Sequence, residues 1–134
     1  MSAVFADTFY FLGLVNRADR AHSRCLAFSG QYRGEVVTTA GILVEVADAL
    51  AAPVHRLKAG KFIQTLQSKA QVRIIPFSPS LFQRGLQMYV ERPDKNWSLT
   101  DCISFVVMAD EGIRDAATGD HHFQQAGFNA LLKE

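Results

Sequence analysis

Ser2-Ala3-Val4-Phe5-Ala6-Asp7-Thr8-Phe9-Tyr10-Phe11-Leu12-Gly13-Leu14-Val15 sets the pattern on which the rest of the chain is read. Residues 2–6 form a short apolar run of strand type, and residues 8–15 continue as a helix, with Asp7 alone at the joint. A second helix is expected over residues 19–28, and Gly30 and Gly34 break the chain after it. The strand-to-helix step then recurs. Residues 35–38 read as a strand, Thr39 or Ala40 opens an apolar-rich helix over residues 41–51, and the Pro53 boundary ends it. Pro53 starts a further helix to about Ser68, with Leu57, Phe62, Ile63 and Leu66 on its apolar side, before a β-branched strand over residues 72–76. Ser78 caps the next helix, with Pro79 at its favoured first position, and that helix runs to Tyr89. Residues 91–97 are polar and contain a proline, so they form a loop. Ser98 opens a strongly apolar helix to Glu111, which Gly112 ends. A strand over residues 115–118, a short helix over residues 120–126 and an edge segment over residues 128–132 complete the pattern.

Strands that alternate with helical crossovers predict an α/β fold: a mostly parallel central sheet of four to five strands, flanked by helices on both sides. With 134 residues, one domain spanning residues 1–134 is expected. Ligands of such sheets bind beyond the carboxyl ends of the strands. No apolar run approaches the roughly 20 residues of a spanning helix, and the first strand begins with no basic or apolar leader ahead of it, so a cytoplasmic protein without a membrane segment is expected. Cys25 and Cys102 sit in apolar helical patterns without CxxC spacing and read as buried free thiols.

The net charge of +1 conceals an asymmetry. Between Asp48 and Glu91 there is no acid, while Arg56, Lys58, Lys61, Lys69, Arg73 and Arg84 give that stretch +6. Residues 91–134 hold eight of the thirteen acids against four bases. The division suits an anionic substrate brought to an acidic, metal-loaded centre, although solvated helix faces would show the same charges.

Four acids should meet at the carboxyl edge of the sheet. Asp7 and Asp120 follow strands directly, Asp101 lies in the first turn of the helix that Ser98 opens, and Glu45 sits among Ile42, Leu43, Val44, Val46 and Ala47. A charge in such an apolar helix needs a partner, and no lysine or arginine nearby in sequence offers itself. A bound divalent cation would compensate, and oxygen-only ligation favours Mg²⁺ or Mn²⁺ over zinc. The same positions suit helix capping: Asp7 and Asp120 as N-caps, and Asp101 in a capping box with Ser98. Glu45 has no such alternative beyond an exposed polar stripe.

Asp7-Thr8 after a short strand, Leu43 to Glu45 within a helix, the run from Trp97 to Phe105 and the run from Thr118 to Phe128 together resemble the PIN domains of VapC-like toxins, the ribonucleases of type II toxin–antitoxin systems. The resemblance covers the whole chain in order, and the last two motifs are the specific ones. It implies a metal-dependent endoribonuclease, a hydrolase of phosphodiester bonds that leaves a 5′-phosphate and a 3′-hydroxyl. Asp7, Glu45, Asp101 and Asp120 would be its metal-binding catalytic residues, with Thr118 and Ser98 supporting their carboxylates. It further implies an RNA substrate, a protein antitoxin and a homodimer formed through helices. A catalytically silent PIN-like RNA-binding module is the alternative. The chain departs from the pattern at Phe9, where a small residue is common. Asp19 and His22 resemble a frequent Asp-x-x-His of structural or substrate-facing role. A haloacid-dehalogenase-like enzyme would need an acid in place of Phe9, and a receiver domain an acidic pair at the first strand's end, so both are disfavoured. His121 and His122 read as capping or solvated groups ahead of a general acid, and Trp97 as a packed aromatic ahead of a base-stacking one.

Overall fold

The computed structural model describes residues 3–134. Its elements run β1 (Val4–Ala6), α1 (Thr8–Val15), α2 (His22–Gln31), β2 (Val36–Thr39), α3 (Ala40–Ala49), α4 (Pro53–Ser68), β3 (Val72–Ile75), α5 (Pro79–Glu91), α6 (Leu99–Glu111), β4 (Asp115–Ala117), α7 (His121–Gln125) and β5 (Asn129–Ala130). The five strands form one sheet in the order β3-β2-β1-β4-β5, and every pairing is parallel. The chain thus has the α/β architecture expected of it, with β1 at the centre, where the strand order reverses.

Val4, Phe5 and Ala6 are all buried. Alternate side chains of a strand point to opposite faces, so both faces of the sheet are covered there. The helices pack as two groups, α1 to α4 and α5 to α7. Phe5 reaches the second group through Phe123 of α7, which stands edge-on to Phe105 of α6. Phe11 of α1 meets Phe62 of α4 in the first.

Short-range chemistry sets the boundaries. Thr39 caps α3 by accepting from Ile42 N at 3.1 Å, and Ser78 caps α5 by accepting from Leu81 N at 3.1 Å. Gly112 ends α6 in the left-handed region, φ 67°, while Ile113 N–H returns to the Met108 carbonyl at 2.9 Å. Elsewhere the structure shifts what sequence predicts. The second helix starts at His22 rather than Asp19, because Asp19 Oδ1 accepts from Ala21 N at 2.8 Å and closes a turn first. The first strand is described from Val4; Ser2 lies outside the described residues. The last segment shrinks to the two residues of β5, since only Asn129 and Ala130 pair with β4. Leu57, expected on the apolar side of α4, is 73% exposed; Ala59 and Leu66 are buried, and Phe62 and Ile63 pack between them.

The α5–α6 seam depends on a missing side chain. A Cβ at Gly85 would lie 2.4 Å from Ile103 Cγ1 and 3.3 Å from the Ile103 backbone. We expect Gly85→Ala to destabilise the protein by about 1–3 kcal/mol despite the better helix propensity of alanine, because backbone cannot move aside as a side chain does. Urea unfolding measures this, and an unchanged midpoint would show that the seam yields freely.

Candidate metal centre at the carboxyl edge of the sheet

Asp7 follows central strand β1 and is buried, with 6% of its surface exposed. It occupies the N-cap position of α1, yet its side chain makes no capping bond. Its Oδ2 instead accepts from the Thr118 hydroxyl at 2.8 Å, from the end of neighbouring strand β4. Burial pushes the Asp7 carboxyl up from its ordinary 3.8 to about 7; the Thr118 hydrogen bond opposes that rise, and the charges of Asp101 and Asp120 add to it.

The Thr118 hydroxyl also accepts from Asp120 N–H at 3.0 Å, so one fully buried oxygen joins Asp7 to the start of α7. Asp120 caps α7, its Oδ1 accepting from His122 N at 2.9 Å. Asp101 completes a capping box with Ser98: Asp101 N–H donates to Ser98 Oγ at 2.9 Å and Ser98 N–H to Asp101 Oδ2 at 3.1 Å. The capping explanation therefore holds for Asp101 and Asp120 and fails for Asp7. Burial also raises the Asp101 carboxyl, against the opposing pull of its Ser98 and His122 hydrogen bonds.

Glu45 stands one step apart. It is half-buried on α3, and its Oε1 accepts from the hydroxyl of Thr8, the residue after Asp7. Sequence reasoning expects Glu45 or Asp101 to be the most buried of the four acids; Asp7 is, because it ends the central strand beneath Thr118 while α3 presents Glu45 beside exposed Val44. The structure thus joins Asp7, Asp101 and Asp120 through Thr118 and His122, and attaches Glu45 through Thr8. Among the described residues no lysine or arginine pairs with any of these four acids.

His122 is the member that sequence reasoning undervalues. Its Nδ1 lies 3.0 Å from Asp101 Oδ2 and 3.5 Å from Asp120 Oδ1. The available signal was the Asp-His-His order itself: a side chain in the first turn of a helix capped by Asp120 stays close to its cap. An imidazole thus stands beside the carboxylates that sequence reasoning placed here. Asp120, His121 and His122 offer ligand atoms within 4.8 Å of one another.

Other readings resolve simply. Trp97 is packed edge-on against Phe105 and donates from Nε1 to Gln125 at 3.0 Å, so its ring is not free to stack on a base. Asp19 and His22 both make local structural contacts, Asp19 Oδ1 accepting from Ala21 N and His22 Nδ1 donating to the Gly13 carbonyl at 2.7 Å. Phe9 fills the space over Gly119, where a Cβ would fall 2.5 Å from its ring. Cys25 and Cys102 are free and buried. Of the six bases in the basic stretch, Arg73 pairs with Glu35 and Glu111, and Arg84 holds Asp110 through its two terminal guanidinium nitrogens.

This α/β sheet, with acids gathered at the end of its central strand, has a PIN-like fold. The chain is similar over 132 residues to the 23S rRNA-specific endonuclease VapC20 of Mycobacterium tuberculosis, at 26% identity covering 98% of this chain and 99% of that protein. The crystal structure of M. tuberculosis VapC20, a Sarcin-Ricin loop cleaving toxin, superposes with a TM-score of 0.87 at 24% identity, covering 95% of this chain and 96% of the other. FitAcB from Neisseria gonorrhoeae superposes at 0.68 and 17% identity, with 95% of each chain covered, and VapBC2 from Rickettsia felis, bound to a DNA fragment from their promoter, at 0.66 and 11%, with 96% of each covered. No family model matches the chain. The chain therefore shares the PIN-like fold of VapC20.

The raised Asp7 carboxyl has a consequence for stability. Unfolded, the group titrates near 3.8 and, folded, near about 7, so the metal-free native state holds an extra proton between those values. Stability must then fall as pH rises from about 4 to about 7 and level off above, by on the order of 4 kcal/mol. In EDTA we expect Asp7→Asn to melt higher than the wild type at pH 8 and nearly with it at pH 4. Equal melting temperatures at pH 8 would show that the ionised Asp7 is accommodated without cost.

Proposed function

We propose that the chain is a metal-dependent endoribonuclease acting as the toxin of a toxin–antitoxin pair. The observation that carries this reading is a buried aspartate whose ionisation is suppressed, faced by two further aspartates and by no lysine or arginine among the described residues. Such a group is costly unless a cation completes it, and carboxylate oxygens suit Mg²⁺ or Mn²⁺. The endonuclease activity named for VapC20, similar over nearly the whole chain, supports the same reaction class.

In this reading Asp7, Asp101 and Asp120 hold the ion, with Glu45 beside them. When bound, the ion acidifies a water and offsets the charge that develops on the phosphate. Thr118 holds Asp7 in place by its hydrogen bond, and the Ser98 capping box fixes Asp101. Thr8 occupies Oε1 of Glu45, leaving Oε2 to orient the attacking water and take its proton. Attack at phosphorus breaks the bond to O3′, which takes up a proton from solvent, giving a 5′-phosphate and a 3′-hydroxyl.

The partners are inferred from exposed apolar surface. Val54 and Leu57 stand out on α4, and Phe82, Tyr89 and Val90 on α5. We assign these helices to a homodimer and to contact with a protein antitoxin. Among the described residues no helix is long and apolar enough to cross a membrane, and the reading places the protein in the cytoplasm.

Purified protein should cleave RNA with Mg²⁺ or Mn²⁺, and Asp7→Asn or Asp101→Asn should lower the rate by at least about 10²-fold while the circular dichroism spectrum is unchanged. Full activity in EDTA, or in both variants, would overturn the mechanism. Light scattering should report a dimer, and a monomer at high concentration would remove that assignment.

A further inference from the structure

We propose that His122 is itself a ligand of the ion, through Nδ1, so that the centre binds Mn²⁺ in preference to Mg²⁺. The inference rests on the reading of the crevice as a divalent metal site and adds the identity of a nitrogen donor to it.

The geometry separates ligation from simple hydrogen bonding. Nδ1 carries at most one proton, and that proton serves one acceptor well: Asp101 Oδ2 at 3.0 Å. The same nitrogen is also 3.5 Å from Asp120 Oδ1, a second carboxylate already engaged with the His122 backbone N–H. One nitrogen thus approaches two carboxylates of like charge, and His122 belongs with Asp120 and His121 to a group whose ligand atoms all lie within 4.8 Å of one another. Adjacent ligands of an octahedral ion at roughly 2.1 Å lie about 3.0 Å apart, so the Nδ1 to Oδ2 spacing already equals such an edge. The side chain is 18% exposed, and its Nδ1 is held over the carboxylates. His121 is the contrast. It shares the grouping with Asp120 and His122, but it is 66% exposed and Asp120, at 3.7 Å, is the one carboxylate that its Nδ1 pairs with among the described residues. For ligation, Nδ1 must give up its proton and the ring must keep its other one on Nε2. An imidazole in place of one water or oxygen favours first-row transition ions over Mg²⁺.

Mn²⁺ is the probe, because its unpaired electrons sense a directly bonded nitrogen. Pulsed electron paramagnetic resonance of the Mn²⁺-loaded protein should show ¹⁴N coupling of imidazole strength, replaced by the ¹⁵N pattern when the histidines are ¹⁵N-labelled. The coupling should persist in His121→Gln and vanish in His122→Gln. In competition titrations His122→Gln should lose about tenfold or more in Mn²⁺ affinity while Mg²⁺ affinity changes far less. Bound Mn²⁺ without nitrogen coupling in the wild type overturns the inference and leaves the ribonuclease reading standing, since that reading is tested by RNA cleavage in Mg²⁺. Coupling lost in His121→Gln overturns the assignment to His122. If His122→Gln fails to fold, the labelled wild type and labelled His121→Gln decide between the same outcomes. Absence of any Mn²⁺ binding overturns the metal centre itself.

Discussion

The hydrogen bond from the Thr118 hydroxyl to Asp7 joins residues 111 positions apart, and the site is organised around it. Asp7 ends β1 and Thr118 follows β4, strands that lie side by side at the middle of the sheet. Bringing them together is therefore a product of the parallel pairing, not of any local turn. Thr118 leaves its own strand tightly, its N–H returning to the Ala116 carbonyl at 3.0 Å, and this directs the hydroxyl at Asp7. Because the oxygen also accepts from Asp120 N–H, the bond that steadies the most buried acid also fixes where α7 begins. Loss of the Thr118 hydroxyl would leave two buried groups unsatisfied together.

Capping and site building are the same geometry at two places. A helix that begins at the carboxyl edge of a parallel sheet points its free N–H groups and the positive end of its dipole into the crevice, so a carboxylate there is stabilised before any cation arrives. Asp101 and Asp120 use that opportunity, and each satisfies helix N–H groups while remaining at the crevice. Asp7 does not. It stands at the start of α1 without a side-chain capping bond, its Oδ2 accepts from Thr118, and burial outweighs that bond and the one from the Thr8 backbone, so its carboxyl is driven to about 7. The acid without a structural excuse is the one whose charge the fold tolerates least.

This difference explains what sequence could and could not disclose. Strand and helix positions were legible because they rest on short-range chemistry: Thr39, Ser78, Ser98 and Gly112 act within one turn of where they stand. The α/β class came from their alternation. The three aspartates were legible as occupants of one edge, because each directly follows a strand or opens a helix. Their relative burial was not, since it depends on β1 being the central strand, and nothing local states the strand order. The expectation for Glu45 failed for a related reason. Its apolar neighbours along the chain suggested burial without a partner, whereas the Thr8 hydroxyl that meets it comes from another helix. His122 was weighed as a capping or solvated residue because its contact with Asp101 spans 21 positions and crosses from α7 to α6. The exposure of Leu57 shows the same limit within one helix: apolar residues outnumber the places that the core has for them.

Charge along the chain also means something different once folded. The acid-free basic stretch carries six positive charges in sequence, but Arg73 and Arg84 are committed to Glu111 and Asp110 at the last turn of α6. Asp101 is in the first turn of that helix, so nine residues of rise, about 14 Å, separate it from Asp110. The arginines thus neutralise one end of α6 and leave the acids at the other end unmatched. Arg56, Lys58, Lys61 and Lys69 form no ion pairs among the described residues and remain available to attract a polyanion, though at exposed positions their pull is long-range and screened by salt. Neither set of bases compensates Asp7. In the proposed reading an ion supplies the positive charge there, and His122 lies close enough to two of the carboxylates to share that task.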